Sequence, residues 1–90
     1  MTDEHPCIDY PTGYIFKVIG RASENYPDFV RRLLSRALGR VVDEDHVRRV
    51  RPSSKGTYLA VTIEVMLVRE SERKAVYRAL WESEQVLFYL

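Results

Sequence analysis

The chain has 90 residues, with 46% hydrophobic and 30% charged side chains, a balance typical of one globular domain and far from disordered composition. Its formal net charge of +1 excludes a strong overall attraction to nucleic acid or to a membrane surface. The single cysteine, Cys7, excludes an internal disulfide and favours a reducing compartment. No apolar run is long enough to span a membrane, and Asp3, Glu4 and Pro6 stand where a signal peptide needs apolar residues. We therefore expect a cytoplasmic protein.

The first twelve residues contain two prolines and show no periodicity. We predict that residues 1–12 form a flexible tail, whose end docks through Ile8 and Tyr10. Residues 13–90 then form a single domain.

The first strand is predicted over Tyr14–Ile19 and stops at Gly20. Lys17 should face water, and this sets the phase of the strand because successive side chains point to opposite faces. The inward set is Tyr14, Phe16 and Val18, and the outward set is Ile15 and Ile19.

A helix follows, because apolar residues recur at helical spacing along one stripe. Pro27 suits the first helical position, where its missing N–H is not needed. Gly39 is placed to end the helix in a left-handed conformation. The stripe consists of Tyr26, Phe29, Val30, Leu33, Leu34 and Ala37.

Two strands joined by a polar loop come next. Val47–Arg51 is a short strand whose arginines are typical of a protected sheet edge. After the loop 52–56, apolar residues alternate along Thr57–Val68, which indicates a strand with one buried face. The alternating residues are Leu59, Val61, Ile63, Val65 and Leu67.

A second helix is predicted near Glu72–Glu82, which Ser71 can cap, and Val86–Leu90 is a last strand. We expect Val76, Ala79 and Leu80 of the helix to face the core. In the last strand, Val86, Phe88 and Leu90 share one face and Leu87 and Tyr89 the other.

The element order β-α-β-β-α-β predicts an α+β fold. Right-handed crossovers turn this order into a ferredoxin-like sandwich, a four-stranded antiparallel sheet with two helices on one face. The last strand should pair with the first.

The loop between the second and third strands is a candidate binding site. Its hydroxyls, ammonium, backbone N–H groups and preceding arginines can hold a phosphate or carboxylate. The alternative is an ordinary hairpin loop, in which proline and serine begin the turn and glycine supplies a positive φ. The residues concerned are Arg49, Arg51, Ser53, Ser54, Lys55 and Gly56.

Lys55-Gly56 at the start of a strand invites comparison with the RNA-recognition motif. The positions that should carry stacking aromatics are Thr57, Leu59 and Thr62, and none is aromatic. Because base stacking supplies about 1–3 kcal/mol per base, this absence disfavours nucleic-acid binding beyond a nonspecific phosphate contact.

Neither a metal site nor a catalytic group is indicated. His46 follows three acidic residues but lacks convergent ligands, and a solvated loop accounts for it. His5 and Cys7 are two apart in the predicted tail, without a third orienting group. We expect no enzymatic activity and no cofactor.

The sheet face that points away from the helices should carry several apolar side chains. Such a patch usually marks a protein partner, a ligand or self-association, although the N-terminal tail is an alternative cover. The predicted members are Ile15, Ile19, Ala60, Met66, Leu87 and Tyr89.

Four stretches together resemble the small, largely uncharacterised bacterial YbeD-like family: Tyr10–Thr12, Phe16–Gly20, Pro52–Tyr58 and Val61–Ile63. The similarity runs from about Tyr10 to the end of the chain. Members look like the ACT domain, a regulatory module that senses small molecules, and the resemblance implies no enzymatic activity.

ACT domains bind an amino acid near the turn from the first strand into the first helix. The matching positions here are Gly20, Asn25 and Asp28. Asp28 stands where that motif has glycine, which hinders close approach and repels a ligand carboxylate, whereas Asn25 can accept from an ammonium group.

The resemblance implies a non-enzymatic regulatory module that senses a small metabolite or docks on a protein partner. The alternative is a pure protein-interaction domain without a ligand.

Overall fold

The computed structural model describes residues 8–90, so His5, Cys7 and the rest of segment 1–7 lie outside the described residues. Four antiparallel strands form one sheet in the order β2-β3-β1-β4. Two helices pack against one face of this sheet, which confirms the predicted ferredoxin-like fold. The strands are β1 Thr12–Arg21, β2 Val47–Pro52, β3 Tyr58–Leu67 and β4 Phe88–Tyr89, and the helices are α1 Tyr26–Leu38 and α2 Glu70–Glu82.

The central pair of strands, β1 and β3, sets the two faces of the sheet. Phe16 pairs with Ile63 and Val18 with Val61, and all four side chains are buried beneath the helices. The intervening residues point away from the helices, as the alternation predicted. We call this second side the outer face.

Helix α1 begins and ends where the sequence indicated. Pro27 lies in its first turn, and Gly39 ends it with a φ of 69°, in the left-handed region. Its Val30 and Leu34 are fully buried, and α2 adds Val76 and Leu80 to the same core.

The predicted start of α2 is wrong. The helix begins at Glu70, two residues early, and Ser71 does not cap it, because Arg69 occupies the capping position without a side-chain hydrogen bond. Instead the Glu72 carboxylate accepts from the Val68 N–H at 2.7 Å. This carboxylate satisfies a backbone donor just before the helix, one residue before the N-cap N–H that a capping box would use.

Strand β4 pairs with β1 as predicted, but the faces assigned to its residues are wrong. Tyr89 lies opposite Val18 and turns toward the core, where its ring lies 5.8 Å from that of Tyr77. Phe88 lies opposite Ile19, so Phe88 rather than Tyr89 belongs to the outer face. The last five residues include an apolar run without alternation, so the pairing with β1 alone sets their phase.

The predicted positions of Leu87 and Leu90 in the last strand also need correction. Leu87 precedes the strand and is exposed, and its N–H donates to the Ile19 carbonyl at 2.9 Å. Leu90 exchanges backbone hydrogen bonds with Lys17 and is exposed on the outer face.

The segment before β1 turns to the helical side of the molecule. Tyr10 packs against the core, and its hydroxyl donates to the Glu70 carboxylate. This contact docks Tyr10 as expected, but at α2 and not over the outer face. Among the described residues, no helix is both long and apolar enough to cross a membrane.

Candidate functional site

The outer face carries a band of exposed apolar side chains near β1 and β4. The outer face lies opposite the face that the helices cover, so these side chains are in contact with water. Its members, each more than half exposed, are Ile15, Met66, Phe88 and Leu90. Ile19 and Ala60, two further predicted members, are half-buried and follow Phe88 in one row across the sheet.

Besides Arg21 at the end of β1, three exposed cations lie across the middle of the same face. Arg49 pairs with Thr62 and Arg51 with Ala60, while Lys17 lies on the other side of Thr62. Because neighbouring strands are 4.7–4.9 Å apart, the Cα atoms of Lys17 and Arg49 lie about 10 Å from each other. None of the three cations forms an ion pair with a carboxylate of residues 8–90.

The remaining arginine of β2, Arg48, is neutralised. The register shift between Val47 and Arg49 inserts Arg48 into the strand, and its Nε donates to Glu64 Oε1 at 3.2 Å. Glu64 lies opposite Ile15 and supplies the single carboxylate among the described strand residues of the outer face. The remaining positive charge of this face is therefore uncompensated by its own residues.

The loop between β2 and β3 has the turn structure of a hairpin. Ser53 closes it, because its N–H donates to the Tyr58 carbonyl at 2.9 Å and its hydroxyl accepts from the Tyr58 N–H at 3.1 Å. Gly56 has a φ of 74°, and its N–H donates to the Ser53 carbonyl at 2.9 Å. Ser53 and Gly56 thus build the turn, and Lys55 is exposed at its tip.

Beside this hairpin lies a concavity of about 480 Å³ on the outer face. It brings Arg51, Ser53 and Ser54 together with Lys17, whereas Arg49, Lys55 and Gly56 do not line it. Sequence reasoning treated Lys17 solely as a solvent-facing residue. The outward phase of β1 was the signal that could have joined Lys17 to the basic hairpin.

The ACT-like positions do not form one site. Gly20 is buried beneath Tyr26, whose Cζ lies 2.3 Å from where a Cβ on residue 20 would stand. The Asn25 carbonyl accepts from the Phe29 N–H at 2.8 Å as α1 begins. The ring of Tyr26 thus fills the space that a ligand at Gly20 would need.

Asp28 already has partners on its own helix. Its carboxylate accepts from Arg31, and Arg32 lies 3.0 Å away. The hydrogen bond from Arg31 and the two positive charges hold the pKa of Asp28 below its ordinary value. Asn25 and Asp28 border a shallow concavity of about 740 Å³ on α1, together with Phe29 and Arg36.

His46 has a structural role in a short 3₁₀ helix, Glu44–His46. Its Nδ1 lies 2.9 Å from Asp43 Oδ1, and the two residues cap this helix reciprocally. Within residues 8–90 there is no cluster of three or more potential metal-ligating side chains.

A family model described as "Protein of unknown function (DUF493)" matches residues 5–90. The UPF0250 protein of Idiomarina loihiensis is 32% identical over 83 residues, which cover 92% of this chain and 90% of that protein. The UPF0250 protein of Shewanella piezotolerans is 33% identical over 79 residues, with coverage of 88% and 85%.

Among solved structures, the solution structure of protein HP0495 from H. pylori aligns with a TM-score of 0.68. The alignment covers 97% of this chain and 89% of that one at 16% sequence identity, so the likeness concerns the fold alone. The family match and the UPF0250 relatives confirm the resemblance that the sequence motifs indicated: the chain belongs to the DUF493 family of UPF0250, YbeD-like bacterial proteins.

Proposed function

We propose that this chain is a binding module without catalytic activity of its own, which docks a partner protein on the outer face of its sheet. The observation that carries the proposal is the composition of that face, where exposed apolar side chains adjoin cations that residues 8–90 leave unpaired. Antiparallel sheets commonly expose one face, but that face is then mostly polar. Exposed apolar side chains grouped on such a face, although Lys17, Thr62 and Glu64 interrupt them, favour an interaction surface.

The order of side chains across the strands indicates the chemistry of the partner. One row runs Phe88, Ile19, Ala60, Arg51 from β4 to β2. The next row runs Leu90, Lys17, Thr62, Arg49. Each row ends in an apolar residue on β4 and in an arginine on β2, and Lys17 adds a cation on β1 beside Leu90. A complementary segment presents apolar side chains toward β4 and carboxylates toward β2.

Charge and apolar contact play different parts in this docking. Desolvated apolar anchors supply most of the affinity of a protein interface. Surrounding charges speed encounter and select the orientation of the partner. An acidic segment with apolar residues on one side therefore suits this face, whereas a basic partner is repelled.

Selection from a displayed library of random peptides tests the proposal, because it requires only the chain itself as bait. We expect enriched sequences to combine Asp or Glu with apolar residues, and to shift the amide resonances of β1 and β3. Their affinity should fall by about tenfold or more in the Ile15→Ser/Phe88→Ser variant, which loses apolar anchors, and in the Arg49→Gln/Arg51→Gln variant, which leaves the partner's carboxylates unpaired. Arg36→Gln on α1 is the matched control and should bind normally.

The docking proposal fails if the selected peptides map to the helices, or if both outer-face variants bind them as tightly as the unaltered chain. Enrichment of basic peptides contradicts the assigned partner chemistry.

A second candidate, an ACT-like sensor of an amino acid, rests on the concavity beside Asn25 and Asp28. There the Asp28 carboxylate faces the same space as the guanidinium of Arg36, which has no ion pair within residues 8–90. An amino acid offers an ammonium for the first and a carboxylate for the second. The pairing of Asp28 with Arg31 weakens this candidate.

Thermal unfolding with pooled amino acids separates the sensor from the docking module. A ligand at about a hundredfold excess over its Kd stabilises the folded state by about 2.7 kcal/mol. If no pool raises the unfolding temperature, the sensor is eliminated and the docking proposal is unaffected.

A further inference from the structure

The concavity beside the hairpin gathers anion-binding groups from three separate strands. Lys17 comes from β1, Arg51 from β2, and Tyr58 opens β3. Ser53 and Ser54 add hydroxyls from the turn. No carboxylate lines this space among the described residues, so none of its own acidic groups neutralises the two cations.

The hydrogen bonds of the turn leave donors available. Ser53 Oγ accepts from the Tyr58 N–H, and a hydroxyl that accepts there still has its proton to donate. The Ser54 and Tyr58 side chains make no hydrogen bond to another residue of segment 8–90. The site therefore combines a guanidinium, an ammonium and several hydroxyl donors.

We propose that this concavity is a binding site for a small dianion, a phosphate group or a dicarboxylate. Arginine meets two oxygens of such a group with its planar fork, and lysine supplies a compact charge beside it. The volume of about 480 Å³ lies within the range of about 300–1,000 Å³ typical of small-ligand sites. Ile19 and Ala60 form an apolar floor for a short carbon skeleton.

The site goes beyond the docking proposal, because a free small molecule and not a protein segment is its ligand. One consequence rests on that proposal: Lys17 and Arg51 also belong to the docking rows, so a bound dianion competes with the carboxylates of a partner. Occupancy of the concavity would then regulate docking.

Amide-resolved NMR titration of the full chain tests the site, with inorganic phosphate and succinate as separate probes at ionic strength matched by NaCl. We expect saturable shifts at Ile19, Arg51, Ser54 and Tyr58 with at least one probe. A response to phosphate alone indicates a phosphorylated ligand, and a response to succinate alone indicates a dicarboxylate.

Two variants at the site and two controls locate the effect. Lys17→Met and Arg51→Gln should each weaken binding by about tenfold or more, the loss expected for a charge-assisted hydrogen bond. Lys55→Gln at the loop tip and Lys74→Gln on α2 remove one cation each outside the concavity, and should leave affinity unchanged. All four side chains are exposed, so folding should be retained.

Shifts that grow linearly without saturation, or that Arg51→Gln leaves unaltered, overturn the site. A chain that selects acidic peptides but binds neither probe also overturns it, while the docking proposal stands. A chain that binds a probe but selects no acidic peptides retains the dianion site and removes the docking module.

Discussion

At the scale of single residues, Tyr26 fills the space beside Gly20, one of the ACT-like positions. Its side chain is 4% exposed and lies over Gly20, where a Cβ would collide with the ring. The hydroxyl is buried without a hydrogen-bond partner in segment 8–90, and burial raises the pKa of Tyr26 to about 12. An unpaired buried hydroxyl destabilises the folded state because it loses its hydrogen bonds to water.

Removing that hydroxyl should therefore stabilise the protein. We expect Tyr26→Phe to raise the free energy of unfolding by about 1 kcal/mol in urea denaturation. Tyr77→Phe is the matched control and should lower the free energy of unfolding. The Tyr77 hydroxyl lies 3.1 Å from that of Tyr14, so its removal leaves the Tyr14 hydroxyl without this partner. A loss of stability in Tyr26→Phe would show that its hydroxyl has a partner after all.

Glu70 links the segment before β1 to helix α2. Hydrogen bonds from Arg73 and from the Tyr10 hydroxyl stabilise its charged form and lower its pKa from 4.5 to about 2. Because the folded chain binds this proton more weakly than the unfolded chain, the contribution of Glu70 to stability is complete above pH 4.5. It is lost as the pH falls toward about 2.

The corresponding prediction concerns acid unfolding. Between pH 4.5 and about 2, the free energy of unfolding should fall less steeply in Glu70→Gln than in the unaltered chain, because one proton-linked group is gone. Glu84→Gln, at an exposed position without an ion pair in segment 8–90, serves as the control and should leave the slope unchanged. Identical slopes in all three proteins would contradict the assigned role of Glu70.

At the scale of elements, β4 is the shortest strand and the one whose orientation depends most on its neighbour. Its two residues are both aromatic, so composition does not distinguish an inner from an outer side chain. Pairing with β1 directs Tyr89 to Tyr77 and leaves Phe88 in water. The edge of the sheet thereby gains an apolar residue on the outer face and an aromatic contact beneath it.

Alanine substitutions at these two neighbours measure the orientation directly. Tyr89→Ala should lower the free energy of unfolding by about 1–3 kcal/mol, since a half-buried aromatic contact is lost. Phe88→Ala should change it by less than about 0.5 kcal/mol because its side chain is exposed. Urea midpoints give both values, and the reverse order would return β4 to the orientation that the sequence suggested.

At the scale of the whole molecule, one ion pair joins the sheet to both helices. Arg40 follows the end of α1 and donates to Glu72 at 2.6 Å and to the Met66 carbonyl at the end of β3. The hydrogen bonds from Arg40 and from the Val68 N–H lower the pKa of Glu72. The same carboxylate thus holds the start of α2, the end of β3 and the loop after α1 together.

Arg40→Met keeps the length of the side chain but removes its donors. We expect it to lower the free energy of unfolding by about 1–2 kcal/mol. This is the loss expected for a charge-assisted hydrogen bond, made smaller because Arg40 is partly exposed to water. Arg36→Met, from the exposed side of α1, should stay within about 0.5 kcal/mol of the unaltered chain. If both variants unfold at the same urea concentration, this junction contributes nothing to stability.

Some features of the candidate site can be predicted from neighbouring residues in the sequence, and others depend on how the strands pair. The hairpin at Ser53–Gly56 and its positive-φ glycine follow from turn chemistry. Ile15 and Met66 were assigned to the outer face because the alternation of β1 and β3 is clear. The meeting of Lys17 with Arg51 depends instead on three strands coming into register, and no local pattern contains that information.

The element order, the faces of the two central strands and the limits of α1 were all predictable, because each depends on residues within a few positions of one another. Two features could be known only from the folded chain: the orientation of β4 and the position of Tyr26 over Gly20, since both depend on contacts between elements. The start of α2 depends on the Glu72–Val68 hydrogen bond, which the residue pattern did not indicate. Where the local signal was uniform or weak, as in the apolar chain end, packing against distant residues set the outcome.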